Sequence, residues 1–231
     1  MLSSIPQLLY GFSTRADGSM RVQSREDLTK RERLHFFRAI GVSADRTAGC
    51  SLTHGRRVQQ VDTGERRPLF FHHTDGLYTL DISRVLTVTG ADCFPLFVVD
   101  PVTRVFGLCH AGWRGAVDGI LPELLIQMNK RLGARLENLR VVIGPGIRAC
   151  HFEIKMDVWS KVQDTYLIKE EGKTCLDLPR LLMDQALELG VTPDHLEDTG
   201  ICTLCDKRYF SYRRDKPKEI EAQMAYLGWR V

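Results

Sequence analysis

No apolar run in this 231-residue chain approaches the roughly 20 residues of a transmembrane helix, so no membrane association is expected. Charge of one sign is also lacking. The 32 basic and 29 acidic residues nearly cancel to a net +3. Basic residues gather only locally, at 31–33, at Arg66-Arg67 and at 207–214, with no long Lys/Arg run. That pattern gives nucleic-acid binding little support and reads as a solvated surface. The segment from Met1 to Tyr10 has no basic stretch leading into a long apolar one, so no signal peptide is expected. Internal repeats, low-complexity tracts and Gly/Ser linkers are missing too. The seven cysteines are odd in number and irregularly spaced. Without a secretory signal, they read as reduced thiols of a cytoplasmic protein and not as a disulfide framework.

What is present is an ordinary globular composition, 43% hydrophobic and 26% charged. The length suits one large domain or two small ones, and no boundary stands out, so a single domain over residues 1–231 is expected. A helix is predicted from about Glu26 to Ile40, with Leu34, Phe37 and Ile40 on one face, Gly41 just past its end and Ser24 as its cap. The middle of the chain is rich in strands: Arg84–Thr89, Phe94–Asp100 and Arg104–His110, the last two joined by a turn at Asp100-Pro101-Val102-Thr103. Gly112-Trp113-Arg114-Gly115 then opens a helix carrying Val117, Ile120, Leu121, Leu124 and Met128 at helical spacing. A strand Leu139–Ile143 runs into Gly144-Pro145-Gly146. Asp177 is placed to cap a helix with Pro179 in its first turn and Gly190 at its end. Strands in adjacent runs as well as alternating with helices point to an α+β fold with a mixed, largely antiparallel sheet flanked by helices.

One constellation carries chemistry. If the turn at Pro101-Val102 is a two-residue hairpin tip, Asp100 faces Thr103 and paired numbers sum to 203, which sets Cys93 opposite His110. Facing side chains in such a pair have Cβ atoms roughly 4.5–5.5 Å apart, close enough for one ion to bridge them. A slip by one residue would destroy the pairing. His54, in Thr53-His54-Gly55, is the best third ligand. Three protein ligands leave a fourth tetrahedral position open for water, the catalytic arrangement, and zinc lowers the pKa of such a water toward about 7. The competing account is a buried core thiol and a hydrogen-bonded histidine. A single Cys202-x-x-Cys205 without a second pair reads as an incidental thiol pair ahead of redox chemistry or metal binding. His72-His73 reads as exposed polar residues.

Gly90-Ala91-Asp92-Cys93-Phe94-Pro95-Leu96, followed by His110-Ala111-Gly112-Trp113-Arg114-Gly115, strongly resembles the laccase-domain family. Its members are also called multicopper polyphenol oxidoreductase-like proteins, purine nucleoside phosphorylases or peptidoglycan editing factors. Gly11–Arg15, Thr53–Gly55, Asp75–Leu77, Ile143–Pro145 through Glu153, and Cys202-Thr203 to Arg214 match in order, so the resemblance covers nearly the whole chain. It implies that His54, Cys93 and His110 are zinc ligands. It also implies phosphorolysis of inosine, guanosine, adenosine and methylthioadenosine, with deamination of adenosine. Purine nucleosides and phosphate would then be the partners. The chain departs from the family pattern in several places. Tyr10 stands where many members have histidine, Asp17-Gly18-Ser19 replaces Gly-Gly-x-Ser, His151-Phe152 replaces Cys-Tyr, and a Gly-Arg after Asp215 is missing. Those changes spare the metal ligands and leave substrate preference open.

Around the metal, Gly112 and Arg114 are candidates to hold an anion at the start of a helix, with Trp113 in the core as the structural alternative. Asp92 is either a structural hydrogen-bond acceptor or a base, and Glu153 is a further acid–base candidate. Arg15 and Arg213 are candidate substrate contacts through the resemblance. Three other functions stay open: a copper-dependent polyphenol oxidase, a hydrolase with Cys93 as nucleophile and His110 as base, and a binding protein without turnover. Seven histidines and no His-x-His pair weigh against the several imidazole-rich centres that a multicopper oxidase needs.

Overall fold

Short apolar strands bury two faces only when sheets and helices stack in layers. The computed structural model describes residues 1–62, 64, 67–170 and 172–231; Arg66 of the basic clusters lies outside them. From the N-terminal end run β1 (Leu8–Phe12), α1 (Arg31–Ala39), β2 (Thr47–Cys50), β3 (Val58–Gln60), β4 (Leu69–Phe71) and β5 (Gly76–Thr79). Next come β6 (Val85–Gly90), β7 (Phe94–Val99), β8 (Phe106–Ala111), α2 (Trp113–Val117), α3 (Ile120–Leu132) and β9 (Arg140–Ile143). The last part holds α4 (Met156–Trp159), β10 (Leu167–Glu170), β11 (Lys173–Leu176), α5 (Leu178–Glu188), β12 (Leu196–Asp198), α6 (Tyr212–Asp215) and β13 (Gln223–Trp229). No described helix is long and apolar enough to cross a membrane.

The domain is mixed α/β, and its strands divide between two main sheets, in the orders β1-β13-β6-β2-β4 and β12-β9-β7-β8-β5-β3. Each sheet mixes antiparallel and parallel pairs, and β10-β11 is a separate hairpin. Alternation along the strands builds the layers. Leu86 and Val88 of β6, Ala225 and Leu227 of β13, Phe97 and Val99 of β7, and Phe106 and Leu108 of β8 all enter one core between the sheets. The odd or even partners of those residues face outward. Leu96, Val98 and Cys109 pack under Leu121, Leu124, Leu125 and Met128 of α3, and Val85 and Met224 pack under Phe36 and Phe37 of α1. The result is a helix–sheet–sheet–helix stack.

Three expectations need correction. The helix anticipated from Glu26 to Ile40 is a 3-10 turn, Glu26–Thr29, then an extended Lys30 and α1. Its buried side chains are Arg33, Phe36 and Phe37, whereas Leu34 is 36% exposed. Arg33 reaches inward because its guanidinium donates to the Met20 carbonyl at 2.8 Å. Asp27, not Ser24, closes the turn before it, accepting from the Gln23 and Ser24 amides. The helix expected to run on from Gly112 is also broken, because Gly119 takes a left-handed conformation (φ +85°) between α2 and α3.

The third correction concerns the hairpin. Pro95 pairs with His110 and Val99 with Phe106, so paired numbers sum to 205 and Cys93 does not lie opposite His110. The Asp100 amide bonds the Val105 carbonyl at 2.8 Å, which makes the turn four residues long. Asp100 widens it by accepting from the Val102 and Thr103 amides at 2.9 and 3.2 Å. The error is two residues, and strand side chains repeat every two. Cys93 and His110 therefore keep a common face, as diagonal neighbours with Gly112 level with Cys93.

Candidate metal centre and cavity

His110 is fixed by β8, Cys93 sits just before β7, and His54 lies on the loop after β2. The ligand atoms of these three residues all lie within 4.8 Å of one another. The His54 and His110 rings meet edge to face, with centroids 4.9 Å apart. His54 and Asp92 both hold left-handed backbone conformations, φ +61° and +85°. Such strain in non-glycine residues persists only where surrounding bonds enforce it.

Asp75 supplies much of that enforcement, and sequence reasoning gave it no role. Fully buried ahead of β5, its carboxylate accepts from the His54 amide at 2.8 Å, the Gly55 amide at 3.1 Å and the Thr53 hydroxyl at 2.6 Å. It also lies 3.3 Å from Nδ1 of His110, while its own carbonyl takes the His110 amide at 2.7 Å. A proton on Nδ1 shared with Asp75 leaves Nε2 free to ligate, the usual carboxylate–histidine–metal chain. The signal in the sequence is weak: a metal-binding histidine wants a carboxylate behind it, but one acid among 29 cannot be singled out by spacing.

Gly112 completes the cradle. A Cβ there would stand 3.1 Å from Cys93 Sγ, 3.2 Å from His54 Cδ2 and 3.7 Å from His110 Cε1. A Cβ at Gly115 would strike the Gly55 carbonyl at 2.5 Å, so the two glycines let α2 close against the His54 loop. Burial pushes the Cys93 thiol up, but His110 and His54 beside it outweigh this and bring it down to about 6. Burial likewise pulls His110 down, and the neighbouring Cys93 thiolate and Asp75 carboxylate outweigh it and raise it to about 9. A thiolate with two imidazoles, converging on one point with an acid behind them, suits a borderline-soft divalent ion such as zinc or copper.

The three residues lie at the wall of a cavity of about 640 Å³, within the range of small-molecule sites. Gly112, Asp92 and Arg213 line it as well, and so do Trp113, Tyr212 and Arg21. Asp92 is 8% exposed, and its two oxygens accept from the Thr203 hydroxyl and the Arg213 amide, each at 2.7 Å. It ties the 203 and 213 segments to the metal-side loop. The Arg213 guanidinium donates to the Glu153 carbonyl at 3.2 Å and sits over the Phe152 ring. Arg15, Arg114 and Glu153 are not among the lining residues. Arg15 pairs with Asp215 at 2.6 Å, and Arg114 stacks on Trp113. With only five residues, α2 is too short to make an anion site of its N-terminus. Arg21 at the cavity wall had no signal beyond being one more arginine.

The sequence matches the family model described as multi-copper polyphenol oxidoreductase laccase over residues 11–229. The purine nucleoside phosphorylase of Deinococcus radiodurans is 30% identical over 220 residues, which span 89% of this chain and 83% of that protein. Purine nucleoside phosphorylase YlmD of Bacillus subtilis is 29% identical over 192 residues, 77% of this chain and 69% of its own. Among solved structures, YlmD of Geobacillus stearothermophilus has a TM-score of 0.88 at 25% identity, covering 98% of this chain and 93% of that one. The Bacillus licheniformis protein YfiH also has a TM-score of 0.88 at 25% identity, covering 100% and 96%.

Proposed function

Because the chain belongs to the multi-copper polyphenol oxidoreductase laccase family, we propose that it is a zinc-dependent enzyme of purine nucleosides. Its reactions are phosphorolysis of inosine, guanosine, adenosine and methylthioadenosine, and deamination of adenosine. The observation that carries this reading is the convergence of His54, Cys93 and His110 on a cavity of about 640 Å³, in a chain whose relatives are named purine nucleoside phosphorylases.

His54, Cys93 and His110 hold the metal, and Asp75 fixes the first and last of them from behind. Zinc, when bound, supplies Lewis acidity and an activated water. Arg213 and Arg21 at the cavity wall hold phosphate, and Trp113, Phe152 and Tyr212 offer flat faces to a purine. Asp92 keeps the Arg213 backbone in place through its amide. Arg114 and Arg15 act from outside the cavity, through the Trp113 ring and the Asp215 ion pair, and the Glu153 carbonyl steadies Arg213. Copper oxidation fits the donors poorly. Among the described residues, the groups able to hold a metal contain three imidazoles, from His54, His110 and His151. Several copper centres need more.

Incubating zinc-loaded protein with adenosine, with and without phosphate, and separating the products tests the reading. Adenine formed only with phosphate, or inosine formed in either case, supports it, and Cys93→Ala then abolishes turnover. Adenosine, inosine, guanosine and methylthioadenosine all left intact would sink it. A cysteine hydrolase is the second reading, favoured by the lowered thiol beside His110. Its mark is turnover of another substrate that survives zinc removal and stops when Cys93 is alkylated.

A further inference from the structure

Cys202-x-x-Cys205 looks incidental in the sequence, yet the fold gives it company. The chain turns at 148–151, where the His151 and Phe152 amides both bond the Arg148 carbonyl at 2.8 Å. This places Cys150 and His151 on one side of a narrow gap. On the other side, Cys202 pairs with Gly146, and the Asp206 amide returns to the Cys202 carbonyl at 2.9 Å, folding Cys205 back over Cys202. The three sulfurs and one imidazole nitrogen all lie within 4.8 Å of one another.

The separations match a coordination sphere. Cys150 Sγ to Cys205 Sγ is 3.9 Å, and His151 Nδ1 lies 3.2 Å from Cys150 Sγ and 3.3 Å from Cys205 Sγ. Zinc bonds of about 2.3 Å to sulfur and about 2.0–2.1 Å to nitrogen, set at tetrahedral angles, put sulfurs about 3.8 Å apart and sulfur and nitrogen about 3.6 Å apart. A disulfide would need about 2.05 Å between sulfurs. The amides of Arg148, Leu204 and Cys205 also hydrogen-bond the Cys202 sulfur and fix its position. Three thiolates and an imidazole exclude hard cations such as Mg²⁺ and Ca²⁺.

We propose that Cys150, His151, Cys202 and Cys205 form a second zinc site, of the closed structural kind, that clips the 147–152 turn to the 202–206 loop. Four protein ligands leave no open position, unlike the centre at His54, Cys93 and His110. Its neighbours show what the clip holds. Ile147 and Phe152 line the cavity. Thr203 donates to Asp92, and Arg214 donates to the Thr203 and Leu204 carbonyls at 2.8 and 3.1 Å, just beyond the cavity residues Tyr212 and Arg213. The site thus braces one wall of the cavity. Binding needs no oxidant: each ligating thiol releases its proton to solvent.

Metal content of the full chain, expressed with zinc and exchanged into metal-free buffer, decides the matter. Two zinc ions per chain are expected, falling to one in Cys205→Ser and to one in Cys93→Ser. Cobalt substitution of the unaltered chain guards against misfolded variants. Thiolate-to-cobalt absorption should saturate at two equivalents, and Cys93→Ser should keep about three quarters of it, three thiolates of four. One zinc per chain, unchanged by Cys205→Ser, would overturn the second site. So would a disulfide among Cys150, Cys202 and Cys205 in unreduced peptide maps. Loss of the second ion in Cys205→Ser with no change in Cys93→Ser would instead overturn the first centre alone.

Discussion

A methyl group placed at Gly112 meets Cys93 Sγ at 3.1 Å and His54 Cδ2 at 3.2 Å, both tighter than ordinary contact. Gly112→Ala must therefore push ligands apart while leaving the core untouched. Zinc affinity in chelator competition should fall at least 10-fold with a Tm change of only a few degrees, a loss comparable to removing a residue behind a ligand. Unchanged affinity would mean that the loop carrying His54 gives way freely. Cys93 makes a second prediction at this scale. Its metal-free thiol lies at about 6 against an ordinary 9.0. The reactive thiolate is the form present above the lowered value, so iodoacetamide labelling should rise through about pH 6 and be complete at neutral pH. His110→Asn removes the largest favourable neighbour and should move that rise upward. A midpoint near 9 in the unaltered protein would show that the two groups are not coupled as the geometry implies.

Among the elements, α5 has limits that follow from local chemistry at both ends. Asp177 accepts from the Arg180 amide at 3.3 Å, Pro179 occupies the first turn, and Gly190 takes φ +96° past the end. Removing the cap with Asp177→Ala should cost about 1 kcal/mol, read as a Tm lower by about 2–4 °C in a domain of this size. No change in Tm would place the helix under tertiary control alone. The β7–β8 hairpin behaves differently. Its strands are plain in the sequence, but its turn length depends on Asp100, which accepts from Val102, Thr103 and also the distant Arg135 amide at 3.0 Å. That last bond comes from another part of the chain and could not be read locally.

For the whole molecule, the layer between the sheets holds the site in place. Phe97 is fully buried there, and its ring meets Phe12 at 5.1 Å and Tyr10 at 6.3 Å, joining β7 to β1 of the other sheet. Phe97→Ala should cost about 3–5 kcal/mol, a Tm loss on the order of 10 °C in thermal unfolding. A loss below about 2 °C would mean that the sheets close over the gap.

The sequence by itself determined the α+β class, most strand positions, the cap of α5 and the choice of His54, Cys93 and His110 as a candidate set, whose donor atoms the structure brings within 4.8 Å of one another. Alternation and capping are written residue by residue, and a two-residue error in register still leaves side chains on the same face. Only the tertiary structure decided what stands around those three residues. Asp75, Gly112 and Arg21 reach the site from separate parts of the chain, Arg15 and Arg114 stay outside the cavity, and Cys150 and His151 meet Cys202 and Cys205 across some 50 positions. Contacts between distant segments depend on how whole layers close, and no local pattern encodes that distance.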